Sequence, residues 1–314
     1  MANQQKNVFS GIIGHKIQLE ILSHILAQKN FAHAYLFVGD PHLGKRTIAE
    51  RFIAGILNLE NQEKINVHPD VKIIEGEKLV TIDEIRELKH HLNLAPYSAF
   101  YKIVFLPCAE KMNRPAANSF LKLLEEPAGQ TILILIAPSI KALLPTIVSR
   151  CQIFKFYRVA IPSIESFLKR AGASPEEARR EAYLSQGCPG LSMAYFQNPE
   201  AVEREADYVR DLIKLKNDSL AKRFIFAEKF SHEAKVLEQM LRQWLRFYHD
   251  IILAKNSSLD LVSNPDFTLE IKKASETYSM QEILSLIQTT QMILQNLKFN
   301  LNKRLALETL LINI

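Results

Sequence analysis

The sequence is poor in cysteine, and its few cysteines lie far apart. Among the 314 residues the thiols are Cys108, Cys151 and Cys188, and no two of them form a C-x-x-C pair. An odd, scattered set of this kind argues against a disulfide framework. It also argues against a thiolate zinc site, because structural zinc is usually held by closely spaced cysteine pairs. We therefore expect ordinary thiols and no zinc.

Long hydrophobic runs are absent as well. Although 47% of the residues are hydrophobic, no apolar run reaches the roughly 18–20 residues that cross a bilayer. The opening residues Met1–Lys6 are not followed by the apolar core of a signal peptide. We therefore expect a cytoplasmic protein without a membrane partner. The net charge of +5 is compatible with nearby nucleic acid but does not require a DNA-binding groove.

Short apolar runs alternate with helical patterns over the first 160 residues. The fourth run is almost wholly apolar, as expected of a strand that is buried on both faces of a parallel sheet. The alternation predicts an α/β domain with helices on both faces of the sheet. The predicted strands are Ala34–Val38, Val71–Ile74, Lys102–Leu106, Thr131–Ile136 and Gln152–Phe156.

After Pro162 the strand patterns end and helical patterns take over. Ser174-Pro175-Glu176-Glu177 carries the signals of a helix start, with a capping serine and a glutamate three residues later. The sequence predicts an α/β domain at 1–160, a small helical domain at 161–204 and a larger helical domain at 205–314. Long amphipathic helices are predicted at Glu233–Lys255, Gln281–Leu297 and Lys303–Ile312.

A degenerate phosphate-binding loop follows the first predicted strand. Gly39, Gly44 and Lys45 have the spacing of a P-loop, whose backbone N–H groups wrap a phosphate while the lysine reaches the β- and γ-phosphates. The next position, which normally carries the hydroxyl that binds Mg²⁺, is Arg46. Thr47 lies one residue late, about 100° around the helix, and should not replace that hydroxyl. These residues form the candidate nucleotide site, and they leave open whether ATP binds there without hydrolysis.

The third predicted strand lacks the acidic pair that nucleotide hydrolysis uses. Pro107 and Cys108 stand where a metal-bridging Asp and a water-activating Glu are expected, and the nearest acid is Glu110. Neither proline nor a neutral thiol replaces the hard oxygen ligands of Mg²⁺. We therefore predict that the chain does not hydrolyse ATP by itself.

The triplet Ser149-Arg150-Cys151 comes just before the fifth predicted strand. Taken alone, Arg150 is most simply a surface residue in an ion pair. The alternative is an arginine finger that reaches the γ-phosphate held by a neighbouring subunit, a contact worth about 10³–10⁵ in rate. The isolated residue does not decide between the two.

Several stretches spread over nearly the whole chain carry a family resemblance. They are Ile12–His15, His33–Phe37, His68–Asp70, Ala116–Pro127, Ser149–Cys151 and Asn300–Glu308. Together they resemble the delta-prime subunits of bacterial DNA polymerase III clamp loaders, which are AAA+ proteins. The helix Ala116–Pro127 and the Ser-Arg-Cys triplet are the most specific of these stretches.

The resemblance implies an AAA+ P-loop domain followed by a small helical lid domain and an all-α collar domain. It also implies a stator in a hetero-pentamer with tau/gamma-type and delta-type subunits, which together load a sliding clamp onto primed DNA. Arg150 would then act in trans at the ATP site of a tau/gamma-type neighbour. The protein would be a non-hydrolysing component of the holoenzyme rather than an autonomous enzyme.

The chain departs from that family in three places, one of which is a missing sensor arginine around Gly187–Gly190, and two other functions stay open. Relatives often carry a four-cysteine zinc module, whereas Leu57–Val67 is short and lacks cysteine, so we expect no zinc. Ala137-Pro138 stands where a polar sensor residue is expected. One alternative is a motor-type subunit that hydrolyses ATP itself, which Pro107-Cys108 speaks against. The other is a DNA-binding AAA+ module, which would show salt-sensitive DNA binding.

Overall fold

The computed structural model describes residues 8–59, 62–76, 79–127, 129–297 and 301–314. Met1–Lys6, Glu60 and Asn61 of the predicted zinc-free loop, and Asn300 of the last resemblance stretch lie outside these ranges. The described chain divides into two compact units. The first, the α/β unit, runs to Ile164 and includes Gly187–Leu191, and the remaining residues to Ile314 form the second, the helical unit. The division into a lid at 161–204 and a collar at 205–314 stays a prediction.

The strands and the three long helices predicted from the sequence are confirmed to within one residue at each end. The strands are β1 (Ala34–Val38), β2 (Val71–Ile73), β3 (Lys102–Leu106), β4 (Thr131–Ala137) and β5 (Gln152–Lys155). The helices are α1 (Lys16–Gln28), α2 (Lys45–Ile56), α3 (Ile82–Asn93), α4 (Arg114–Glu125), α5 (Pro145–Val148), α6 (Ile161–Arg170), α7 (Pro175–Leu184), α8 (Pro189–Gln197), α9 (Pro199–Asn217), α10 (Leu220–Ser231), α11 (Ala234–Lys255), α12 (Thr268–Thr277), α13 (Met280–Asn296) and α14 (Lys303–Ile312). Within the described ranges, no helix is both long and apolar enough to span a bilayer.

The sheet of the α/β unit is parallel, with the strand order β2-β3-β4-β1-β5. β1 therefore lies between β4 and β5, and its residue Phe37 is in register with Ile136 on one side and Phe154 on the other. In open parallel sheets, ligands bind beyond the carboxyl ends of the strands, where the strand order changes direction. The P-loop sequence follows the carboxyl end of β1, at this end of the sheet.

Alternate residues of the strands face two separate cores. Tyr35 and Phe37 point to the face that is covered by α1 and α2, where Phe52 is fully buried. Leu36 points to the other face, where α3 and α4 contribute Leu88 and Phe120. All seven residues of β4 are buried. This confirms the prediction of a strand covered on both faces, and it explains why its sequence is apolar rather than alternating.

The helical unit has a core of its own around α11. Trp244 is fully buried, and its indole Nε1 donates a hydrogen bond of 2.7 Å to the carbonyl oxygen of Tyr208 on α9. Arg223 on α10 donates to the carbonyl oxygen of Leu311 at 2.7 Å and to that of Lys216 at 2.9 Å. The Arg223 guanidinium thus binds two carbonyl groups near the carboxyl ends of α14 and α9. Carbonyl groups at a helix end have no hydrogen-bond partner inside their own helix.

The predicted helix start at Ser174 is also confirmed, because Ser174 forms a capping box at the beginning of α7.

Candidate functional site

The loop between β1 and α2 has the backbone conformation of a tight phosphate-binding loop. Gly39 has a φ of 153°, and a Cβ atom there would lie 2.5 Å from the carbonyl oxygen of Phe156, so only glycine fits. Gly44 has a φ of 83° and directly precedes α2, whose amino end therefore opens at the loop. His42 also has a positive φ, and its carbonyl oxygen accepts a hydrogen bond of 2.8 Å from the Gly190 amide.

The P-loop lysine is engaged with its own loop. The Lys45 ammonium donates to the carbonyl oxygens of Gly39 at 2.6 Å and of Asp40 at 2.5 Å, and the side chain is buried. Burial lowers the pKa of Lys45 below its ordinary value, and the nearby charges of Asp40 and Glu110 only partly oppose that effect. In this structure Lys45 therefore stabilises the loop, and a phosphate would have to compete with two carbonyl oxygens for it.

The position of the missing magnesium hydroxyl is occupied by a salt bridge. Arg46 donates to the two carboxylate oxygens of Glu75 at 2.7 and 2.8 Å, and its Nε donates to Glu50 at 2.7 Å. The hydrogen bond to Glu75 raises the pKa of Arg46, and the same contact lowers the pKa of Glu75. Thr47 is exposed on α2. The guanidinium therefore fixes two carboxylates beside the loop, and it offers no oxygen to a metal ion.

The carboxyl end of β3 has no carboxylate where a metal would need one. Pro107 and Cys108 follow the strand, and burial raises the pKa of the Cys108 thiol, which keeps it neutral. Glu110 lies in the short turn Ala109–Lys111, and its Oε2 is buried without a hydrogen-bond partner in the described part of the chain. Among the described residues, no group of three or more His, Cys, Asp or Glu side chains is placed to hold a metal ion. The absence of zinc stays a prediction.

Arg150 lies near the amino ends of the parallel strands, whereas the P-loop lies at their carboxyl ends. Arg150 directly precedes Cys151 and β5, whereas the P-loop follows the carboxyl end of β1, and β1 and β5 are parallel neighbours. The length of β5 alone separates the two places by about 13 Å, at about 3.3 Å per residue. The chain therefore does not bring Arg150 to its own nucleotide loop.

The Arg150 guanidinium is held in place from two sides. Its Nη2 donates to Glu125 Oε1 at 2.7 Å, and its Nη1 donates to the carbonyl oxygen of Thr146 at 3.0 Å. The Arg150 side chain is 36% exposed and that of Glu125 is 49% exposed. The sequence predicted Arg150 as a site residue, but it did not pair it with Glu125, which lies 25 residues away.

Asp70 of the His68–Asp70 stretch has a structural role that the sequence did not reveal. Its carboxylate is buried and accepts backbone hydrogen bonds from Tyr97 at 2.6 Å, and from Ser98 and Ala99 at 2.8 Å each. These bonds order the loop before β3. The nearest sequence signal was the motif itself, which gave no indication of a partner 27–29 residues away.

Comparison with known proteins finds similarity to one kind of DNA polymerase III subunit. The family model described as "DNA polymerase III, delta subunit" matches residues 14–160, which make up most of the α/β unit. DNA polymerase III subunit delta' of Pseudomonas aeruginosa is 29% identical over 94% of this chain and 95% of its own length. The subunit delta' of Bacillus subtilis is 25% identical over 94% of each chain. The chain is thus similar over nearly its whole length to DNA polymerase III delta-prime subunits.

A second kind of DNA polymerase III subunit matches a smaller part of this chain. DNA polymerase III subunit tau of Bacillus subtilis is 32% identical over 50% of this chain and 30% of its own length. The predicted resemblance to DNA polymerase III delta-prime subunits is thereby confirmed. The predicted parallel sheet with flanking helices, followed by a helical region, is confirmed by the strand order and the element order. The roles of Gly39, Gly44, Lys45, Thr47 and Arg150 stay predictions.

Proposed function

We propose that this chain is the delta-prime-type stator of a clamp loader and supplies Arg150 in trans. The complex is a hetero-pentamer with tau/gamma-type and delta-type subunits that places a sliding clamp on primed DNA in the cytoplasm. Arg150 contacts the γ-phosphate of ATP that is bound to an adjacent tau/gamma-type subunit. The observation that carries the proposal is the position of Arg150. It lies near the amino end of β5, away from the P-loop at the carboxyl end of β1, and its side chain is partly exposed.

The chemistry of the guanidinium fits this role. Arginine has five N–H donors in a planar fork, and the two hydrogen bonds of Arg150 to Glu125 and Thr146 use two of them. Charge-assisted hydrogen bonds from the remaining donors to phosphate oxygens stabilise the charge that develops during phosphoryl transfer. A finger of this kind needs no nucleotide on its own chain.

The chain's own P-loop supports a non-hydrolysing role. Lys45 is bonded to loop carbonyls, Arg46 is bonded to Glu75, and no carboxylate follows β3 at Pro107 and Cys108. Without the hydroxyl and the acidic pair, a bound ATP would lack both the ligands of its Mg²⁺ and the group that activates water. The loop therefore serves the fold, and any ATP held there stays intact.

The test is ATP hydrolysis by the matching tau/gamma-type and delta-type subunits, with clamp and primed DNA, in the presence of this chain. The native chain is expected to stimulate turnover. In a single-turnover measurement, Arg150→Ala should slow hydrolysis at the ATP site of the adjacent tau/gamma-type subunit by about 10³-fold or more. Each complex should then hydrolyse one ATP fewer than the complex with the native chain. Arg86→Ala is the matched control, because Arg86 is also an exposed arginine with one carboxylate partner, Asp83.

Two results would contradict the proposal. Equal ATP counts with the native chain and with Arg150→Ala would rule out the finger. Turnover by the purified chain alone that Lys45→Ala abolishes would instead show a motor-type subunit. In the proposed function, Lys45→Ala leaves the stimulated rate unchanged, because the hydrogen bonds of the Lys45 ammonium in the described part of the chain go to its own loop.

A further inference from the structure

Glu125 and Arg150 join the end of α4 to the segment before β5. The 2.7 Å hydrogen bond from Arg150 Nη2 to Glu125 Oε1 holds one side of the guanidinium, and the 3.0 Å bond from Nη1 to the Thr146 carbonyl holds the other. We propose that Glu125 is a positioning residue, which orients Arg150 for the γ-phosphate on the neighbouring subunit. This inference rests on the proposed function of Arg150.

The core fixes the place of Glu125. Phe120 and Leu124 on α4 are buried in the same cluster as Ile147 on α5, so the two helices pack against each other directly beside the pair. Glu125 is the last residue of α4, and Arg150 follows α5 by two residues. The distance between their backbones is therefore set by a packed core, which does not deform easily.

The carboxylate lies where local electrostatics do not favour it. The carboxyl end of a helix carries partial negative charge, so an acidic side chain there is normally unfavourable. Both Glu125 and Glu126 lie at this end of α4. Departures from local preference of this kind are expected at functional sites. Here the unfavourable position of Glu125 provides the carboxylate partner of Arg150. As a half-exposed ion pair, it contributes little to stability, so its main effect is on the orientation of the guanidinium.

Orientation matters because a free arginine has several rotatable bonds. An arginine that is already held loses less conformational freedom when it meets the phosphate. Since Glu125 and Thr146 use only two of the five donors, the guanidinium can contact phosphate oxygens without leaving Glu125. Glu125 thus acts through Arg150 and does not itself contact ATP.

The test compares variants of Glu125 in the reconstituted complex, in the phase of ATP hydrolysis that depends on Arg150. Glu125→Ala is expected to slow that phase about tenfold, with the apparent affinity for ATP and the assembly of the complex unchanged. Glu125→Gln should retain most of the rate, because its amide oxygen can still accept the bond from Nη2. Glu125→Asp should give an intermediate rate. Glu126→Ala is the matched control, since no ion pair of Glu126 occurs among the described residues.

A double variant shows whether Glu125 acts through Arg150. Glu125→Ala should have no further effect in the Arg150→Ala background. If Glu125→Ala lowered the rate there as well, Glu125 would act through another contact and the inference would be wrong. A native or faster rate for Glu125→Ala, with Arg150→Ala still defective, would overturn the inference and leave the finger intact. A native rate for Arg150→Ala would overturn the proposed function itself.

Discussion

Arg46 and Glu75 form a two-bond salt bridge at the position where hydrolytic P-loops carry a magnesium-binding hydroxyl. The guanidinium nitrogens donate to the two carboxylate oxygens at 2.7 and 2.8 Å. Arg46, which stands in place of the metal-binding hydroxyl, thus has Glu75 as a structural partner. Restoring the hydroxyl would break this pair, and it would not supply the carboxylates that are missing after β3.

Arg46→Thr is therefore predicted to leave the purified chain without ATPase activity. The new hydroxyl would lack the partner carboxylates at Pro107 and Cys108 that hydrolysis requires. The free energy of unfolding should fall by at most about 1 kcal/mol, because the salt bridge to Glu75 is half-exposed. The measurements are ATP turnover and urea unfolding, with Thr47→Ala as a control expected to match the native chain. Appearance of steady turnover in Arg46→Thr would show that a competent acidic site exists after all.

Asp70→Asn is predicted to destabilise the chain at neutral pH and much less in acid. Burial alone would raise the pKa of Asp70, but the hydrogen bonds from Tyr97, Ser98 and Ala99 outweigh it and hold the pKa below its ordinary value. The unfolded chain therefore binds the proton more tightly. The stabilisation is complete above about pH 4, the ordinary pKa of Asp, and is lost as the pH falls through the lower folded value.

At pH 7 the loss in Asp70→Asn should be on the order of 1–3 kcal/mol, because an amide N–H₂ would face backbone donors. Chemical unfolding at pH 7 and at pH 3 measures the difference between the native chain and the variant. Asp83→Asn, at an exposed position on α3, is the control. A difference that stays constant between the two pH values would contradict the linkage to Asp70.

Glu181→Gln is predicted to stabilise the chain above neutral pH. Glu181 on α7 is buried, its Oε2 has no hydrogen-bond partner in the described part of the chain, and burial raises its pKa to about 7. Here the folded chain binds the proton more tightly than the unfolded chain. The contribution of Glu181 to stability is therefore greatest below about pH 4.5, the ordinary pKa of Glu, and declines as the pH rises to about 7.

The glutamine variant lacks this titration, so it should exceed the native chain by on the order of 1–3 kcal/mol at pH 8. The measurement is the melting temperature between pH 5 and pH 8, and Glu176→Gln on the exposed side of α7 is the control. Parallel profiles for the native chain and Glu181→Gln would show that Glu181 is ionised in the folded chain at pH 8 without penalty.

The strands and the P-loop could be predicted because their signals are local. Ala34–Val38 is a short apolar run that ends at a glycine, and the glycines and the lysine of the P-loop lie close together in the sequence. The long helices α11, α13 and α14 were predicted to within one residue, since their apolar spacing repeats over several turns. The partners of charged side chains were not predictable, because ion pairs depend on which surfaces pack together.

The amino-acid sequence alone is enough to identify an α/β domain with a P-loop sequence, followed by helices, and to show that the loop lacks a magnesium-binding hydroxyl and the third strand an acidic pair. Both conclusions depend on residue type and spacing, which act over a few neighbours. Three further features depend on how the chain packs: Lys45 bonds its own loop, Asp70 orders a distant loop, and Glu125 holds Arg150 near the amino end of β5. The last two contacts join residues 25 or more positions apart, and they exist because buried strands and helices bring those positions together.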